Sequence, residues 1–62
     1  MTSNEVIDAL EADGWILNRV RGSHHIFKHP LKSGHVTVPH PRKDMATATI
    51  KSIERQAGLK LK

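Results

Sequence analysis

The chain has 62 residues, no cysteine, and ten lysines and arginines against six acids, for a formal charge of +4. So short a chain reads as one domain over residues 1–62, which buries about 60% of its unfolded surface and cannot wall the deep apolar pocket of a small-molecule enzyme. The lack of cysteine removes disulfides and thiolate chemistry, and apolar runs of no more than three residues leave no secretory leader or membrane span, so a cytoplasmic location is expected.

Thr2 and Glu5 have the spacing of a capping box, in which the hydroxyl accepts from the third helical amide and the carboxylate reaches back to the cap amide. A helix over about residues 3–13 follows, with Val6, Ile7 and Leu10 as its apolar stripe and Gly14 to end it. Residues 15–21 are rich in large and β-branched side chains and read as a strand, with Trp15 as a lid on the core rather than a platform for bases. Gly22-Ser23 supplies a turn or bulge, at which a positive φ is expected for the glycine, and residues 24–29 form the second strand.

Alternation along that strand separates two neighbouring histidines. Phe27 is the natural core residue, so His25 shares its face and is expected to be semi-buried and hydrogen-bonded, while His24, Ile26 and Lys28 face the other way. Pro30 and Lys32-Ser33-Gly34 reverse the chain, residues 35–38 form a third strand with Val36 and Val38 inward, and Pro39-His40-Pro41 stops it. A last helix takes Thr47 as its N-cap and buries Ile50, Ile53 and Ala57 before Gly58. The class is α+β, in the order α-β-β-β-α. Its simplest packing is a three-stranded antiparallel sheet with both helices on one face and the other face open.

The charge is unevenly spread. Four of the six acids, Glu5, Asp8, Glu11 and Asp13, fall in the first thirteen residues, whereas from Arg19 onward only Asp44 and Glu54 oppose all ten basic residues. That distribution favours a polyanionic partner such as nucleic acid. With few aromatic groups to stack bases, phosphate and 2′-hydroxyl contacts would dominate and sequence selectivity would be weak.

RNA cleavage without a metal needs a base for the 2′-hydroxyl proton, an acid for the leaving 5′-oxygen, and positive charge near the phosphorus. Histidine suits the proton transfers because an ordinary imidazole titrates near about pH 6.5. His24 is the leading candidate, and Arg19, Arg21, Lys28 and Lys32 are candidates to hold the phosphates, with Gly22 and Ser23 bringing the backbone close. His29 and His35 flank the second turn and are candidates for a second proton carrier. A metal site is not expected, since adjacent strand residues diverge and His25 and His29 would lie about 13 Å apart along a strand. The residues alone also allow a non-catalytic RNA-binding module, or a subunit that only docks another protein.

The order and spacing of Gly14-Trp15, Arg19-x-x-Gly22-Ser23-His24-x-x-Phe27, Val36-Thr37-Val38-Pro39 and Thr49-Ile50-Lys51-x-Ile53 with Gln56-Ala57-Gly58-Leu59 resemble HicA-type toxins, small mRNA interferases of toxin–antitoxin systems. The resemblance implies a fold like that of double-stranded-RNA-binding domains and a metal-independent endoribonuclease with no cofactor. It also implies His24 as the catalytic residue and Gly22 as the family's glycine, with mRNA as substrate and a HicB-type antitoxin covering His24. Two positions depart from the family pattern: His40 follows Pro39 directly rather than one residue later, and Ala48-Thr49 stands where Gly-Thr is common.

Overall fold

A computed structural model describes residues 1–61. Helix α1 (Ser3–Ala12) starts on the capping box read from the sequence, with Glu5 N–H donating to Thr2 Oγ1 at 3.2 Å and Thr2 N–H donating to Glu5 Oε1 at 2.8 Å. Hydrogen bonding to Thr2, from its backbone amide first and its side chain second, holds the Glu5 carboxyl below its ordinary range. Strands β1 (Ile16–Arg21), β2 (His24–Lys28) and β3 (Val36–Pro39) form one antiparallel sheet in the order β1-β2-β3, and helix α2 (Thr47–Ala57) closes the element order. The last helix is entered differently from the sequence reading. Ala46, in extended geometry and with no side-chain bond, is the N-cap, and Thr47 is already helical.

Both helices lie on one face of the sheet. Val6 and Leu10 of α1, Ile50, Ile53 and Ala57 of α2, and Phe27, Val36 and Val38 of the sheet are buried together with Trp15 and Met45. Burial of side chains such as Leu10 and Phe27 is worth about 1.5–3 kcal/mol each, and in so small a chain this cluster is the main source of stability. Strand β1 lies outside this cover: all six of its residues are exposed.

Two polar clips tie loops to the helices. Buried Ser3 donates its N–H to the Arg42 carbonyl at 2.9 Å, accepts the Arg42 N–H at Oγ at 2.9 Å, and shares a 2.7 Å hydrogen bond with His40 Nδ1. The second clip is His29. Its Nδ1 accepts from the Leu31 and Lys32 amides at 3.0 and 3.2 Å, so Nε2 carries the proton and donates it to the Asp13 carbonyl at 2.7 Å. Trp15 packs edge-on against this ring and donates its indole N–H to Asp13 Oδ2 at 3.2 Å, buried as a lid should be.

His25 lies on the helix side and is half-buried, as alternation demands, but it is not hydrogen-bonded as expected. Its Nδ1 is buried with no hydrogen-bond partner among the described residues, and the ring packs at a steep angle against that of His40, at 4.7 Å between centroids.

Candidate functional site on the open sheet face

The site is built by a two-residue hairpin loop. Gly22 has φ +59° and no other described residue but glycine has a positive φ, so Ser23 turns the ordinary way; glycine first in a two-residue loop is the mark of a type II′ turn. Such a loop fixes register. Arg21 stands opposite His24, Val20 opposite His25, and Arg19 opposite Ile26, with a bulge between Leu17 and Arg19. On the other side His24 faces Pro39 and Ile26 faces Thr37.

Residues paired across a sheet share a face, so Arg19, Arg21, His24, Ile26, Lys28 and Thr37 all lie on the side away from the helices. Arg21, Gly22, His24, Ile26 and Thr37 line a shallow cleft of about 540 Å³ there. His24 and Arg21 are exposed and no side-chain hydrogen bond or ion pair occupies either among the described residues. An imidazole and a guanidinium are thus set side by side on an open surface, where one can move a proton while the other holds an anionic oxygen.

The other sequence candidates fall into three positions. Ser23 and Gly22 form the turn itself, and the Ser23 carbonyl accepts the His40 N–H at 2.7 Å, which pins the hairpin to the segment after β3. Arg19 and Lys28 lie further along the same face. Lys28 is four residues from His24, or about 13 Å along a strand, and would reach a different phosphate. Lys32 does not join them. Its ammonium pairs with Asp13 Oδ2 at 2.5 Å and donates to the Ala57 carbonyl at 3.1 Å, where it joins the ends of the two helices. The hydrogen bond from Lys32, reinforced by its charge and the Trp15 N–H, holds the Asp13 carboxyl below its ordinary range.

His29 is likewise committed, since both ring nitrogens serve main-chain groups. His35 is exposed and precedes β3, at the end of the sheet away from the turn. Among the described residues no group of three or more histidines and acids converges on one point. Ile26 and Thr37 were not singled out from the sequence as cleft residues. The Gly-Ser turn held the signal, because a two-residue loop sets the pairing that brings them beside His24.

Together the fold and the site define a class: a small basic α-β-β-β-α domain whose uncovered sheet face carries one unengaged imidazole beside arginine at a glycine turn. Residues 3–59 match the family model for the HicA toxin of bacterial toxin–antitoxin systems, and the chain belongs to that family. A solved structure described as "HicA3 and HicB3 toxin-antitoxin complex" is similar over 100% of both chains, with 33% identity and a TM-score of 0.86. No curated protein matches the chain in sequence.

Proposed function

We propose that the chain is the toxin of a toxin–antitoxin pair and acts as a metal-independent endoribonuclease on mRNA, arresting translation and growth, with His24 as its proton-transfer residue. The observation that carries this reading is the exposed, unengaged His24 opposite Arg21 on the open face. RNA laid across that face places a phosphate over the cleft. His24 takes the proton of the 2′-hydroxyl, the 2′-oxygen forms its bond to phosphorus, and the bond from phosphorus to the 5′-oxygen breaks, with the leaving oxygen taking a proton from water on this open face and His24 returning its own to solvent. Arg21 offsets the charge that builds on the phosphoryl oxygens, and Gly22, with no side chain, leaves the approach open. Arg19 and Lys28 hold the flanking phosphates, and Ser23 keeps the turn in place.

A HicB-type antitoxin is the inhibitory partner in this reading. Support comes from the similar structure, which is a complex of toxin and antitoxin, and from a basic face that an acidic protein surface would match. No helix among the described residues is long and apolar enough to cross a membrane.

The test is cleavage of a defined RNA by the purified chain in excess chelator, beside His24→Ala. Turnover by the parent and at least a hundredfold loss in the variant are expected, in line with the roughly 10²–10⁴-fold worth of a positioned acid or base. Binding without turnover by the parent would instead make this a non-catalytic RNA-binding module.

A further inference from the structure

The two edges of the sheet are unequal. Edge strand β3 has four residues, ends in proline, and has its outward Thr37 N–H taken by Gln56 Oε1 of α2 at 3.2 Å. Proline and a covering side chain are ways of closing an edge against further pairing. Strand β1 has six residues, no proline, and no side chain bonded to its backbone among the described residues; Ile16, Leu17 and Val20 are 62%, 45% and 50% exposed.

The backbone of that edge is correctly turned for pairing. In a two-residue hairpin the flanking pair, here Arg21 and His24, exchanges both main-chain bonds, so Val20 points its N–H and C=O away from β2. The Thr37 bond to Gln56 fits the same parity, because it requires Ile26 to pair with β1 and Thr37 to face outward. The bulge then sorts the side chains. By simple alternation Leu17 would share the face of Arg19 and Arg21; after the bulge it pairs with Phe27 and joins Val20 on the helix side. The free edge therefore carries Arg19 and Arg21, with Ile16 at its far end, on the open face and Leu17 and Val20 as an apolar rim on the other.

We infer that the free edge of β1 is a docking edge for an antiparallel strand of a protein partner whose side chains alternate acidic and apolar. The inference rests on the antitoxin reading and gives that partner a place to bind. Acidic side chains of the added strand meet Arg19 and Arg21, neither of which forms an ion pair within the described chain, and its apolar side chains cover Leu17 and Val20. The added strand also brings its carboxylates beside the His24 cleft, which Arg21 lines. A second copy of this chain fits poorly, since β1 paired with β1 sets arginines against arginines. RNA has no main-chain ladder to offer and leaves the apolar rim uncovered.

The experiment titrates the isotope-labelled chain with an end-blocked eight-residue peptide alternating glutamate and valine, and with its lysine–valine counterpart. The glutamate peptide should shift β1 amide resonances and slow hydrogen exchange at the Val20 N–H, and the lysine peptide should not bind. Val20→Pro removes the outward N–H without touching the β2 ladder, and should bind the peptide at least tenfold more weakly while melting and cleaving RNA as the parent does. Arg19→Glu with Arg21→Glu should exchange the preference to the lysine peptide, which decides the matter if the proline variant does not fold. Shifts that map elsewhere, equal binding by folded Val20→Pro, no exchange of preference, self-association through β1, or protection of the same amides by a short RNA instead of the peptide would each overturn the inference. RNA turnover by the unbound chain is scored separately, so a failure of cleavage contradicts the proposed function without altering the edge result.

Discussion

The covered and open faces of one three-stranded sheet treat the same residue type in opposite ways. On the covered side and at its margin, His29 spends both nitrogens on main-chain groups, His40 is bonded to Ser3, and His25 is packed against the His40 ring. On the open face His24, one residue from His25, makes no side-chain hydrogen bond or ion pair among the described residues and stands across from Arg21. Composition alone cannot separate these roles. Strand parity separates His24 from His25, while contacts of the loops commit His29 and His40.

If the covered side is held by its polar clips, breaking them should cost stability and little else. The largest loss is expected for Gly14→Ala, where φ is +100° and the new Cβ would come within 2.7 Å of His29 Nε2. Backbone strain and the loss of the His29 bond to Asp13 together amount to about 2–4 kcal/mol, read as a lowered denaturant midpoint. Ser3→Ala should follow at about 1–3 kcal/mol, since it strands the Arg42 N–H and His40 Nδ1 in a partly buried place.

The open face should respond differently. Gly22→Ala meets nothing within 4 Å, so its cost is conformational only, about 1–2 kcal/mol for a left-handed alanine. Its effect on RNA turnover should exceed its effect on melting if the turn sets the approach to His24. His25→Leu sharpens the comparison from the other side. It replaces a buried nitrogen with no partner by apolar volume, and unfolding should be unchanged or about 1 kcal/mol more costly, with cleavage retained.

The smallest effect is one of pH. Because Asp13 is held below its ordinary range by Lys32, its contribution is present above that range and lost as pH falls through the folded value. Acid titration of stability should therefore be flatter in Asp13→Asn than in the parent.

Much of this division was legible from the chain. The capping box, the placement of Phe27, Val36 and Val38 in the core, and the outward turn of His24 follow from local spacing and alternation, which the structure keeps. What escaped was set by long-range contacts. Lys32 looked like a phosphate ligand because basic residues in a turn usually face solvent, and only the closeness of Asp13 and the end of α2 draws it in. The commitment of His29 needed Gly14 and Asp13 across the fold, and the missing partner of His25 depended on where His40 settles. The exposure of β1 was hidden for a similar reason: the large and β-branched side chains that mark residues 15–21 as a strand do not tell which strands the helices cover, and they cover β2 and β3.

The central claim is that the fold consumes His25, His29 and His40 and that His24, exposed at the glycine turn beside Arg21, serves catalysis, with His35 standing apart at the other end of the sheet. It is tested most directly by RNA turnover and thermal melting measured together for His24→Ala and His29→Ala, at protein concentrations and temperatures where both remain folded. The account predicts that His24→Ala melts as the parent does and loses at least a hundredfold in turnover, in line with the roughly 10²–10⁴-fold contribution of general acid–base catalysis, while His29→Ala melts lower and still cuts RNA when folded. Cleavage by folded His24→Ala at the parental rate would contradict it.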